Sequence, residues 1–163
     1  MLKHLLAAVP FAACLLAGPA LAATSPAAAP SPFPFLKVGD VSQTDCGTYL
    51  VDPGQEPGLQ NMRLFMTTER VLHLRTGKEL RTLELDRVEQ KMRDQDVLGR
   101  GDQVDLFFLG KGKEAAAIFG TVTQAVVDDD GSYPIIELDA DVSYTSPSGK
   151  TVRQRLAAHD MCL

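Results

Sequence analysis

Along residues 133–144, Ile136, Leu138, Ala140 and Val142 alternate with Glu137, Asp139, Asp141 and Ser143. A period of two puts the apolar set on one face of an extended chain and the acidic set on the other, the pattern of a half-buried antiparallel strand. The triplets flanking this run, Asp129-Asp130-Gly131 and Pro147-Ser148-Gly149, suit the three-residue hairpin in which a type I turn is followed by a left-handed glycine. Those loops set the register on both sides. Val122 then faces Leu138 and Ile118 faces Val142, while Ala140 faces Leu156 and Tyr144 faces Val152. Apolar meets apolar at each pair, and a one-residue slip would undo all of them. On the opposite face the same registers set Asp141 against Arg155, Ser143 against Arg153 and Glu137 against His159. A C-terminal three-strand meander follows.

Upstream, turn-forming triplets at 52–54, 56–58, 76–78, 99–101 and 110–112 separate short apolar or alternating runs. Strands are expected near 47–51, 61–67, 70–76, 80–85, 103–109, 115–127, 133–144 and 150–160. One segment breaks the pattern: Leu85, Val88 and Met92 fall at helical spacing, which predicts one short helix over about 85–93. In 103–109, Val104, Leu106 and Phe108 alternate with Asp105, Phe107 and Leu109, so both faces are apolar from Leu106 onward. Such a strand reads first as a central core strand, otherwise as one lining a cavity or meeting a partner. Phe119 falls on the polar face of the meander and is exposed unless something covers it. The expected fold is mainly β: a single antiparallel β sandwich or partly closed barrel with that helix and the meander.

The chain starts Met-Leu-Lys-His, continues with an apolar stretch from Leu5 to Leu16, and reaches Ala20-Leu21-Ala22-Ala23. A basic start, a short apolar middle and an Ala-x-Ala end make up a signal peptide, so residues 1–22 are expected to be removed after Ala22 or Ala23. The apolar middle is too short to cross a bilayer, and no later window approaches that length. Cys14, after Phe11-Ala12-Ala13, sits in a weak version of a lipid-attachment site, but the aromatic Phe11 argues against a lipid anchor there. Residues 23–35 form a Pro/Ala/Ser-rich flexible segment in which Phe33 and Phe35 are expected to be solvated. Residues 36–163 form the single β-rich domain. Export leaves Cys46 and Cys162 in an oxidising space, where an even pair is read as a disulfide rather than as metal ligands.

The whole chain carries a net charge of −5, and removing the leader takes away one lysine and no acid. A domain this acidic has no electrostatic case for nucleic acid. Candidate chemistry is sparse. The row Glu137, Asp139, Asp141, Arg153, Arg155 and His159 is the richest constellation, read first as a solvated sheet face, next as a binding face, and last as a paired-carboxylate hydrolytic site. Asp128-Asp129-Asp130-Gly131 lacks the spacing of a calcium loop, and His73 and His159 have no ligand partners at zinc-like spacing. Gly110-Lys111-Gly112-Lys113 reads as a hairpin tip, and Arg100-Gly101-Asp102 as a turn rather than an adhesion signal. No catalytic residue, metal or cofactor is expected. The expected function is an exported, periplasmic or secreted, non-catalytic module that binds a protein or other macromolecule, as an inhibitor or immunity factor does. The alternatives are a barrel carrier of a small apolar ligand and a carboxylate-dependent hydrolase.

Overall fold

Eight antiparallel strands pair in chain order in a computed structural model that describes residues 31–41, 46–93, 98–126 and 135–162. They are β1 (Cys46–Val51), β2 (Met62–Thr67), β3 (Val71–Thr76), β4 (Glu79–Lys91), β5 (Gln103–Leu109), β6 (Ala115–Val126), β7 (Ile135–Thr145) and β8 (Thr151–Cys162). β1 also pairs with β8, from Cys46 opposite Cys162 to Val51 opposite Ala157, so the sheet closes into a barrel. Closure removes both edges, which an open sandwich or partly closed barrel would leave with unpaired backbone groups. The fold is therefore a closed barrel, not a sandwich.

The meander forms, with β7–β8 in the expected register throughout and β6–β7 in it as far as Val122; a β-bulge between Val122 and Gln124 then shifts β6 by one residue, so Gln124 rather than Thr123 faces Glu137. Ile118 faces Val142 and Val122 faces Leu138; Ala140 faces Leu156 and Tyr144 faces Val152. At the β7–β8 tip Gly149 has a φ of 86°, and its N–H donates to the Ser146 carbonyl at 2.8 Å, as the turn chemistry requires. The Asp129-Asp130-Gly131 turn lies outside the described residues.

No helix forms over 85–93. Residues up to Lys91 belong to β4, and a β-bulge between Leu85 and Arg87 explains the misleading spacing. Leu85 opposes Phe108 and Val88 opposes Leu106, with Asp86 as the extra residue. One inserted residue turns the strand spacing i, i+2 into i, i+3, which imitates a helical face. The segment also falls after the first pairs of β4, so it prolongs a strand already in place.

Eight strands make a barrel just wide enough for side chains to fill. Leu50, Leu64, Leu72, Leu74, Leu83, Phe108, Ile118, Ala140 and Leu156, drawn from all eight strands, meet in one buried cluster. Phe33 joins it, fully buried, and so is not solvated as its flanking prolines and serines suggested. Its carbonyl accepts from Arg63 Nη1 at 2.8 Å, and Arg63 is also paired with Asp52, fixing the residue where β1 ends and β2 begins. Residues 34–41 then run as a strap across the outside of β1–β3. The Leu36 N–H donates to the Met62 carbonyl at 2.8 Å, and Leu36 and Val41 cover Tyr49 and Phe65. Asp40 ends the strap in a bidentate pair with Arg75, at 2.5 and 2.6 Å, where both side chains are nearly out of water. That guanidinium holds the Asp40 carboxyl below its ordinary range.

A second polar contact lies where β6 begins. The Tyr144 hydroxyl donates to buried Glu114 at 2.6 Å, and burial together with that carboxylate pushes the phenol up to about 12. The Glu114 carboxylate fills the space beside Gly110, where a Cβ would sit 2.6 Å from its Oε2.

Candidate functional site

Most inward residues of this barrel are apolar and most outward ones polar or charged, the reverse of a barrel that faces lipid. Function is therefore to be sought on the outer wall or in the loops. Strand parity puts Glu137, Asp139, Asp141, Arg153, Arg155 and His159 together on the outside of β7 and β8, in the expected cross-strand pairs. Their ion pairing is more selective than that register. Arg155 stands opposite Asp141 but bonds the diagonal Asp139 with two nitrogens, one at 2.7 Å. The bond holds the Asp139 carboxyl below its ordinary range and raises the Arg155 guanidinium above its own. A carboxyl shifted that way is poorly suited to donate a proton. His159 Nδ1 approaches Glu137 Oε1 at 3.4 Å, while its Nε2 is buried with no hydrogen-bond partner among the described residues.

This selection leaves Asp141 and Arg153 exposed and, among the described residues, outside any ion pair. They border a shallow, open groove of about 580 Å³ that Phe119, Ser143 and Arg155 also line. Phe119 is 45% exposed, uncovered as its position on the polar face required. Phe107 leans against it edge to face, ring centroids 5.8 Å apart, and Arg87 lies over the Phe107 ring at 4.3 Å. Phe107 and Leu109 face outward from β5, and Leu109 is 54% exposed. The strand is thus not buried on both sides, because a closed barrel has no second layer to cover it. Sequence reasoning flagged Phe119 and both faces of β5 separately. The pairing of β5 with β6 is what joins them into one patch.

Other candidates resolve into structure. Asp102 of the Arg-Gly-Asp tripeptide is buried, accepting from the Gly99 and Arg93 N–H groups at 2.8 and 3.0 Å, and those bonds lower its pKa. It is not presented to a receptor. Gly110 to Lys113 form the β5–β6 tip, closed by the Gly110 N–H on the Glu114 carbonyl at 2.9 Å. His73 stands opposite Phe65 on the outer side of β3, half-buried, with ring centroids 6.3 Å apart. Residues 128–131 lie outside the described residues. Among the described residues no group of three His, Cys, Asp or Glu side chains is placed to hold a metal ion, and no helix is long and apolar enough to cross a membrane.

The strap contacts at Phe33, Asp40 and Arg75, and the Glu114–Tyr144 bond, carried no sequence signal beyond residue type, since each joins positions far apart in the chain. Compared with protein-family models, with curated proteins and with solved structures, the chain matches none.

Proposed function

We propose that this chain is an exported, non-catalytic binding module that recognises a macromolecular partner, a protein, through the outer wall of β5–β8. The observation that carries the reading is the aromatic pair of exposed Phe119 and half-buried Phe107, continuous with the charged row of β7 and β8. An exposed aromatic cluster ringed by charge and containing arginine has the composition of an interaction hot spot. The β1–β3 side of the wall carries its own aromatics under the strap, so the patch is the part left bare. The signal-peptide pattern of residues 1–22 supports export, to the periplasm or beyond. The cysteines support it too. Cys46 and Cys162 are direct cross-strand partners, and such pairs have Cα atoms about 4.5–5.5 Å apart, within the span a disulfide bridges. We assign a bridge there that staples the β1–β8 seam.

The test is capture of a partner by the mature domain from its native envelope fraction, repeated with Phe119→Asp and with Asp141 and Arg155 reversed in charge. A partner retained by the parent and lost by the variants, all of them folded by circular dichroism, fits the proposal. Equal retention by all three removes this face from consideration.

A further inference from the structure

The registers arrange the outer side chains of β6, β7 and β8 in rows. Phe119 faces Asp141, which faces Arg155; one step toward the β7–β8 tip, Ala117 faces Ser143, which faces Arg153. Small side chains in the second row leave a groove between the Phe119 ring and the two guanidiniums, and its lining carries Arg153 and Arg155 against the single carboxylate Asp141. Arg155 is already engaged. Its Nε and Nη2 bond Asp139, and the charge of Asp141 opposite adds to the field that raises its pKa. Two carboxylates therefore share one guanidinium. Arg153 is exposed and its side chain enters no ion pair or hydrogen bond among the described residues.

An exposed arginine beside an exposed aromatic ring is the pairing that dominates protein interfaces, and what this one lacks is an acceptor. The planar guanidinium matches a carboxylate, and the Ser143 hydroxyl on the groove floor can donate to the same group. Phe119 supplies the apolar wall opposite. Strands β6 and β8 lie two strand spacings apart across β7, about 10 Å, a gap that the length of the arginine side chain shortens. Side chains at i and i+2 of an extended segment share a face about 7 Å apart and so span it. We propose that this groove takes an extended segment of the partner protein in which an apolar side chain packs on Phe119 and an aspartate or glutamate two positions away pairs with Arg153 over Ser143. The inference rests on the binding role proposed above and names the chemistry of its partner. One free guanidinium on an acidic domain neutralises one carboxylate and leaves a run of them repelled, which excludes polyanions such as nucleic acid as occupants. Asp141 adds to that selection by repelling any acid not placed toward Arg153.

The experiment follows backbone amide shifts of the isotope-labelled mature protein during titration, to millimolar concentration, with three twelve-residue Gly/Ser peptides centred on Phe-Ser-Glu, Phe-Ser-Gln or Phe-Ser-Lys. The glutamate peptide is expected to move the amides around Phe119, Ser143 and Arg153, binding about threefold more tightly than the glutamine peptide. The lysine peptide should bind most weakly, and the glutamate preference should shrink as salt rises from low to physiological strength. Arg153→Gln should abolish that preference, whereas Asp141→Asn, which removes a like charge, should raise it about twofold. Equal binding of the glutamate and glutamine peptides, preference for lysine, response to none, or shifts confined to another face would overturn the inference. Self-association of the purified domain that Phe119→Asp abolishes would make the occupant a second copy and overturn it as well. The two readings fail separately. A captured partner that depends on Phe119 but is indifferent to Arg153→Glu sinks the acidic occupant and leaves the binding role standing. A partner indifferent to Phe119 sinks both.

Discussion

Phe33 and Phe35 are two residues apart in a proline-rich strap, yet one is fully buried in the barrel cluster and the other is 43% exposed under Arg63. Replacing each by alanine should therefore cost very different amounts. A phenylalanine side chain buries roughly 150–250 Å², worth about 4–6 kcal/mol at 25 cal/mol per Å². Core Phe→Ala changes cost about 3–5 kcal/mol. The lower end applies here, because Phe33 sits on a strap that can shift and let water into the barrel mouth, so about 3 kcal/mol is expected. Phe35 is partly exposed beneath Arg63, 3.6 Å from ring centroid to guanidinium carbon, a contact worth below about 1 kcal/mol. The chain has no tryptophan, so urea unfolding is followed by tyrosine fluorescence and far-ultraviolet circular dichroism. Phe33→Ala should lower the midpoint at unchanged slope and drop Tm by roughly 10 °C, against 1–3 °C for Phe35→Ala. If the two variants unfold within about 0.5 kcal/mol of each other, Phe33 does not close the barrel and the strap is no part of the folded core.

Two carboxyls give opposite pH signatures. Asp40, lowered by Arg75, adds stability that is present above its unfolded value near 3.8 and is lost as pH falls through its depressed folded value. The protection factor of the Leu36 amide, taken against the intrinsic exchange rate at each pH, should therefore fall in acid, and in Asp40→Asn it should already be low at neutral pH. Asp160 is the reverse: burial raises its carboxyl above the usual range, so its protonated form favours folding and that stability is lost as pH rises through the folded value. Asp160→Asn should raise Tm at pH 7 and make little difference below pH ~3.8; an equal gain at both would refute the assignment. Arg70 holds a left-handed φ of 66° in the β2–β3 turn, so Arg70→Gly should gain about 0.5–1 kcal/mol in urea unfolding. A Cys46–Cys162 bridge, as proposed, would close a loop of more than a hundred residues, and reducing it should cost up to about 4–5 kcal/mol. A thiol assay on the unfolded mature chain should find no free thiol before reduction and two after it.

The meander was legible because three signals agreed: alternation in β7, turn glycines, and apolar partners across both hairpins. Ile118–Val142 and Tyr144–Val152 formed as read. The β4 segment was misread because a bulge at Asp86 shifts parity by one residue, and periodicity alone cannot tell that from a helical turn. The β2–β3 turn shows a related limit. Its left-handed position is filled by Arg70 rather than glycine, so the turn carried no glycine signal and was inferred only from the strands around it.

Closure was the larger omission, and it decides where function is sought. In a sandwich, an apolar residue on the outer parity of a strand can be covered by the second sheet; in a barrel nothing covers it except added chain. Tyr49 and Phe65 on β1 and β2 have that cover from Leu36 and Val41. Phe107, Leu109 and Phe119 on β5 and β6 do not: among the described residues the strap's hydrogen bonds are with β2, β3 and the start of β8, and its outer apolar contacts with β1 and β2. Alternation on β5 identified those side chains as unusual but could not say whether they met a core or water. A strap of one short segment can shield one side of an eight-stranded wall, and among the described residues no other segment crosses the outside of β5 and β6, where Leu109 and Phe119 are exposed. That asymmetry, more than any single charged residue, directs the search for a partner to β5–β8.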